Sequence, residues 1–318
     1  MSRHRRRHTR LLAVASALVL VFSLASLVGH GLIASAIAYA PNQYGAADEA
    51  EILTGSERAE LGRHAVIAVR VGPPVATLSA WVIEPAKAPR GTILLLHGIR
   101  ADKRMMIGPG RAFADAGYRA VLVDLRGHGR SGGEYLTYGV VESHDMSQLL
   151  DAVARRGPLG PVGVYGYSYG AAVAIQLAAR DPRVRAVVAI SAFSTLRGVV
   201  RDYEKRLLPG VSDVLPDSYV QGAVDEAGDM ASFDPDMASP LQAVRHLTAP
   251  LLLVHGTADR RVPFHNALAL VHAAHAPKRF MPVAGATHGS VLADPHGKLR
   301  HAALAWFARW LPEKSVSP

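Results

Sequence analysis

The run Val162-Gly163-Val164-Tyr165-Gly166-Tyr167-Ser168-Tyr169-Gly170-Ala171-Ala172-Val173-Ala174-Ile175-Gln176-Leu177-Ala178 decides how the rest of the chain is read. A short β-branched run, a five-residue turn with glycine at both ends and an alanine-rich segment predict a strand, a sharp turn and a helix. Gly166-Tyr167-Ser168-Tyr169-Gly170 fits G-x-S-x-G, in which a serine on a strained turn needs neighbours without bulk two residues to either side. Ser168 is therefore the candidate nucleophile.

Outward from this turn, uninterrupted apolar runs alternate with helical segments. Strands are expected at Leu78–Glu84, Thr92–Leu96, Ala120–Asp124, Ala186–Ile190, Leu251–Val254 and Arg279–Val283. Helices are expected at Lys103–Ala116, Glu142–Arg156, from the turn to Arg180, and at His296–Leu311. Apolar strands without polar alternation belong to a sheet covered on both faces, so the pattern predicts a doubly wound, mostly parallel α/β sheet. The stretch 193–247 breaks the rhythm. It reads as a small helical insertion over the carboxyl edge of the sheet, where open α/β sheets bind ligands.

A serine hydroxyl needs a base to take its proton, and the base needs an acid to orient it. In the order Ser, Asp/Glu, His, each partner should follow a strand. Asp259 lies in His255-Gly256-Thr257-Ala258-Asp259 after one late strand, and His288 in Thr287-His288-Gly289 after the next. Oxyanion donors are expected at the amide of Tyr169 and at that of Ile99, with Gly98 as the alternative, in the loop Leu96-His97-Gly98-Ile99. His97 reads as a brace for that loop. Tyr167, Tyr169, Met105, Met106, Phe193 and Phe264 are expected to flank the site.

These motifs, together with Asp124-Leu-Arg-Gly-His-Gly-Arg-Ser-Gly132, resemble the α/β-hydrolase superfamily over roughly residues 65–312. The likeness is to its serine-hydrolase branch of membrane-anchored, lipase- or peptidase-like esterases. The resemblance implies Ser168 as nucleophile, Asp259 as orienting acid, His288 as general base, and Tyr169 and Ile99 as oxyanion donors. It implies no cofactor and no metal, and a small-molecule or lipid-like ester as substrate. Thioester or amide cleavage, acyl transfer to another acceptor, and a non-catalytic protein on the same fold stay open.

Other patterns weigh less. Gly127 to Gly132 fits G-x-G-x-x-G, but Gly133-Glu134-Tyr135 opens no apolar helix, so a dinucleotide site is not expected. His265, His272 and His275 lack a carboxylate or thiolate set for a metal. Asp234 and Asp236, rival triad acids, read as turn formers. The chain has no cysteine, which excludes disulfides and a thiol nucleophile.

The net charge of +9 is concentrated at one end. Residues 1–10 hold five arginines, and no Lys, Arg, Asp or Glu occurs from Leu11 to Ala47. The remainder carries 30 basic and 26 acidic residues. Without a basic stripe in the body, nucleic acid is not an expected partner. Residues 1–10 read as a cytoplasmic head and residues 11–38 as a single transmembrane signal anchor, with the catalytic part outside. The alternative is a signal peptide cleaved near Ala40, after Ala38-Tyr39-Ala40, and secretion. Residues 41–64 read as a linker.

Overall fold

The computed structural model describes residues 29–40, 42–43, 53–207, 209–210 and 215–312. In chain order, α1 covers 29–38, β1 Asn42–Gln43 and α2 Gly55–Leu61. They are followed by β2 Ala65–Val71, β3 Ala76–Ile83, β4 Thr92–Leu96, α3 Ile107–Asp115, β5 Arg119–Val123, the short β6 His128–Gly129 and α4 Val140–Ala154. The central unit is β7 Val162–Tyr167, α5 Tyr169–Arg180 and β8 Val184–Ile190. Then come α6 Leu196–Leu207, α7 Asp217–Ala231, α8 Pro240–His246, β9 Leu251–Gly256, α9 His265–Ala273, β10 Lys278–Val283 and α10 Lys298–Trp310.

Eight strands form one sheet in the order β10-β9-β8-β7-β4-β5-β3-β2. All neighbours are parallel from β10 to β5; β3 is antiparallel to β5, and β2 to β3. The apolar strands divide residue by residue between two cores. Leu94, Leu96, Val121, Val123, Val164, Leu251 and Leu253 join one cluster, whereas Ile93, Leu95, Ala120, Leu122, Tyr165, Leu252 and Val254 join the other. Helices cover both faces, which is why the strands show no polar alternation.

Local chemistry sets the ends of several elements. Gly117 follows α3 with φ +91, a backbone conformation in which a glycine carries no penalty. The segment expected to be one helix from Lys103 is split. A 3-10 turn at Lys103–Met106 is capped by the Asp102 carboxylate, and α3 begins only at Ile107. Strand β2 escaped the sequence reading: its outer face is exposed, so it shows a weak polar alternation that blends with the preceding segment.

The N-terminal expectation needs correction. Residues 29–38 are not part of a membrane span. They form α1, whose Ala34, Ile37 and Ala38 are buried in the same core as the sheet. His30 Nδ1 meets the Glu226 carboxylate of α7 at 2.5 Å. The Tyr138 hydroxyl donates to the Ile37 carbonyl at 2.9 Å, and Leu136 N–H to the Ala38 carbonyl at 2.8 Å. An apolar helix that fills a domain groove and one that enters a bilayer look alike in composition; these polar anchors distinguish them. Among the described residues no helix is long and apolar enough to cross a membrane. Residues 1–28, which hold the basic head and most of the expected span, lie outside the described residues.

The described residues of the expected linker 41–64 include regular structure. Asn42–Gln43 pairs in parallel with His128–Gly129. Helix α2 opens on a capping box in which Thr54 and Glu57 exchange hydrogen bonds.

A chain beginning at Gly29 is expected to keep the full stability of the folded domain, whereas one beginning at Pro41 loses at least about 3 kcal/mol in urea unfolding, from the exposed groove of Ala34, Ile37 and Ala38. Equal midpoints for the two truncations would show that α1 contributes nothing to the domain.

Candidate active site

Ser168 sits between the end of β7 and the start of α5 with φ +53 and ψ −114, a conformation unusual for a residue with a side chain. The glycines around it are required by close backbone approach. A Cβ on Gly166 would lie 2.3 Å from the Gly170 carbonyl oxygen, and one on Gly170 would lie 2.3 Å from the Leu96 carbonyl oxygen. The turn is held to the sheet by Ser168 N–H, which donates to Ile190 O at 2.7 Å.

The structure brings Ser168, His288 and Asp259 together in one line. Ser168 Oγ lies 2.9 Å from His288 Nε2, and His288 Nδ1 donates to Asp259 Oδ2 at 2.7 Å. All three side chains are buried. Each follows the carboxyl end of its strand: β7, β10 and β9. The two late loops are laced together, Thr257 N–H to Val283 O and Ala258 N–H to Ala286 O, both at 3.0 Å. A Cβ at Gly256 would meet Ala286 O at 2.2 Å, so the glycine allows that approach.

Asp259 is fixed from both sides. Its Oδ1 accepts from the Arg261 and Val262 amides at 2.9 and 3.0 Å. Burial raises its pKa, but the hydrogen bond and charge of His288 and the Val262 amide outweigh that, and the carboxyl is held below its ordinary value. It is therefore an anion aimed at Nδ1, which leaves Nε2 free to accept the serine proton.

The two amides expected to bind the oxyanion have no backbone acceptor among the described residues. Tyr169 is the first residue of α5, so its amide is one of those a helix leaves unsatisfied. Ile99 lies beyond β4, and its amide meets no backbone acceptor among the described residues. Gly98 approaches the nucleophile closely; a Cβ there would lie 3.0 Å from the Tyr167 ring and 3.5 Å from Ser168 Cβ.

His97 braces this loop. Its Nδ1 donates to Gly98 O at 2.8 Å, and its Nε2 accepts from Leu125 N–H at 3.0 Å. That pairing requires the neutral ring, and burial lowers its pKa to about 4. The same loop is tied down by Lys103, whose amide and Nζ reach the two oxygens of Asp124 at 2.7 and 2.8 Å.

Two side chains take roles that the sequence reading did not assign them. The Tyr167 hydroxyl donates to His288 O at 2.7 Å, and its ring packs 5.2 Å from the imidazole, so the residue before the nucleophile also positions the base. Glu142, fully buried, accepts from the Tyr169 hydroxyl, Thr137 and the Gly139 amide. The Tyr169 side chain is thereby tied to α4. The Glu at the third position of α4, whose carboxylate accepts from the Gly139 amide at the start of that helix, is the signal that could have flagged the second.

Of the other expected flanking residues, Met106 lies in the core on one face of the sheet, in the same cluster as Tyr167, and Met105 is exposed. They sit on the 3-10 turn that points one side chain inward and the next outward. Phe193 is buried with its edge toward Tyr138, and Phe264 packs beside His255. Asp234 caps a 3-10 turn and Asp236 pairs with Arg197, as turn formers do. His265 lies 3.3 Å from Asp202, and His272 is on the same helix. The Gly127–Gly132 loop turns back along β1 and wraps the Asp124 carboxylate, opening no helix.

A mostly parallel eight-stranded sheet with a serine on a strand-to-helix elbow defines a serine hydrolase of the α/β-hydrolase class. Residues 87–245, half the chain, match the family described as serine aminopeptidase, S33, and the chain belongs to that family. The uncharacterized protein YfhR of Escherichia coli (strain K12) is 25% identical over 230 residues, covering 69% of this chain and 72% of its own. The monoacylglycerol lipase of Mycolicibacterium smegmatis is 26% identical, covering 68% of this chain and 86% of its own. Among solved structures, the Pyrococcus furiosus esterase PF2001 superposes with a TM-score of 0.64 at 20% identity, covering 85% of this chain and 98% of that one. At that identity the superposition speaks for the fold.

His97 gives the site a pH signature. Its ring titrates at 6.5 in an unfolded chain and at about 4 when folded. Below 6.5 the unfolded state binds a proton that the folded state refuses, so stability falls with pH until about 4. By about pH 5 the loss reaches about 2 kcal/mol from this group. In urea unfolding at about pH 7 and 5, His97→Gln should lose less on acidification by that amount; an identical acid loss in both proteins would contradict it.

Proposed function

We propose that the protein hydrolyses carboxylic esters through an acyl-enzyme on Ser168. The reading is carried by the hydrogen-bonded line from Asp259 through His288 to Ser168 Oγ, at 2.7 and 2.9 Å. Ser168 Oγ attacks the carbonyl carbon as its proton passes to His288 Nε2. The carbonyl oxygen becomes an oxyanion facing the Tyr169 and Ile99 amides. Its collapse expels the alcohol, which takes the proton from His288. Water then enters on the same side, gives its proton to His288 and releases the acid, returning Ser168 to its hydroxyl form. Asp259 stays ionised throughout and stabilises the imidazolium.

Ester rather than amide cleavage is supported by the likeness to a monoacylglycerol lipase. The same proposal attaches the protein to a membrane through the uncharged run Leu11 to Val28 behind five arginines, with the catalytic part on the outer side. The anchor then ends before α1 rather than at residue 38.

A fluorophosphonate probe should label the wild-type protein and leave Ser168→Ala unlabelled. Asp259→Asn should lower kcat on p-nitrophenyl butyrate by at least about 1,000-fold. Equal labelling of both proteins, or turnover unaffected by either substitution, would overturn the mechanism. A p-nitroanilide of the same acyl group, turned over as fast as the ester, would overturn the ester assignment.

A further inference from the structure

Strand β9 is apolar from Leu251 to Val254 and then, still buried, carries a histidine. The catalytic line gives His255 no part, yet its ring is fully removed from solvent. A leucine there would bury no polar atom. The imidazole instead leaves Nδ1 buried with no hydrogen-bond partner among the described residues, which costs stability and calls for an explanation. The contacts of the ring supply one. Its Nε2 lies 2.8 Å from the Val262 carbonyl oxygen and 3.5 Å from Asp259 Oδ2. A carbonyl only accepts, so Nε2 carries the proton. Burial lowers the pKa of the ring and keeps it neutral, with Nδ1 bare. Phe264 packs against it edge to face, ring centroids 6.0 Å apart.

These contacts run in sequence around the catalytic acid. His255 Nε2–H donates to Val262 O, Val262 N–H donates to Asp259 Oδ1 at 3.0 Å, and Asp259 Oδ2 accepts from His288 Nδ1 at 2.7 Å. Residue 262 is thus gripped at its carbonyl by the end of β9 while its amide grips the acid. The terminal torsion of an aspartate is broad, so the carboxylate turns unless both oxygens are engaged. With Oδ1 pinned by the Arg261 and Val262 amides, Oδ2 is the oxygen left to face His288. Between β9 and α9 the chain forms only turns, and the His255–Val262 bond closes that loop across seven residues.

We propose that His255 is a positioning residue for the catalytic acid: by holding Val262 it sets the rotation of the Asp259 carboxylate, and through it the aim of the His288 imidazole at Ser168. It touches neither substrate nor reacting atoms. The inference rests on the hydrolytic reading above for what that aim accomplishes; the connection from His255 to His288 stands on the contacts alone. Two amide side chains of different reach separate this role from plain packing. The amide nitrogen of a glutamine stands as many bonds from Cβ as His Nε2 does, so His255→Gln can still donate to Val262 O. In His255→Asn that nitrogen stops at the level of Nδ1 and falls short.

The full chain carrying each substitution is assayed on p-nitrophenyl butyrate. Independently of turnover, the His288 Nδ1–H···Asp259 hydrogen bond is followed by its downfield proton resonance, assigned through its loss in His288→Ala. His255→Asn and His255→Leu should lower kcat at least about tenfold with KM within about twofold, and His255→Gln should recover kcat to within about threefold of wild type. The resonance should move or vanish in the first two and persist in the third. Because His255 acts through the acid, adding His255→Asn to Asp259→Asn should cost less than about a further twofold, whereas a general packing defect would repeat the full loss. Should His255→Leu fail to fold, the asparagine and glutamine variants carry the test. Four results overturn the proposal: no such resonance in the wild-type protein, turnover and resonance unchanged in His255→Asn, a glutamine no better than asparagine, or full additive losses in the double variant. A wild-type protein that cleaves no ester, but whose resonance follows the asparagine and glutamine pair as stated, would contradict the hydrolytic reading and leave the positioning role standing.

Discussion

Everything in this site depends on a serine held in a strained backbone conformation at the tip of a central strand. At φ +53, Ser168 lifts its hydroxyl off the sheet. The turn closes so tightly that the backbone of residues 96–97 and 170 occupies the space where side chains would be. The strain is tolerated because the flanks are over-determined: β7 is buried between β4 and β8, and α5 is buried along nearly its whole length. The base and acid are then brought to it by the two strands at the far edge, β9 and β10, whose loops are laced together by backbone hydrogen bonds.

Around this turn the protein spends polar groups in places that water does not reach. Lys103 with Asp124, and Arg126 with Asp145, are ion pairs almost wholly removed from solvent. Such pairs add little net stability compared with apolar packing, but each fixes a geometry. Lys103 and Asp124 tie the loop after β4 to the loop after β5. Glu142 ties α4 to the Tyr169 side chain. His97 joins the loop after β4 to Leu125 through a ring that must stay neutral. These ties fix the loop after β4 and the start of α5, the two places where the proposed mechanism puts its oxyanion donors.

The sheet was readable in the sequence because strands buried on both faces leave an unmistakable apolar run, as at Thr92–Leu96 and Leu251–Val254. Ser168, Asp259 and His288 were readable because the elbow and the loops after strands have a local signature. What escaped depends on tertiary contact. Tyr167 looked like a pocket residue, and only the fold brings its hydroxyl to the His288 carbonyl. Residues 29–38 were read as membrane-spanning because Ala34, Ile37 and Ala38 are as apolar as a span; that they fill a groove between α7 and the Tyr138 turn is visible only in three dimensions. The 3-10 turn that buries Met106 and leaves Met105 exposed likewise has no clear sequence mark.

The central claim is that Ser168 becomes covalently acylated and that His288 drives the release. It is tested most directly by mixing His288→Ala protein with p-nitrophenyl butyrate and mapping any added mass by peptide mass spectrometry. The account predicts a butyryl group on the peptide that contains Ser168, formed slowly and persisting because water is no longer activated. No adduct on Ser168 at any time, or an adduct on a different residue, would contradict it.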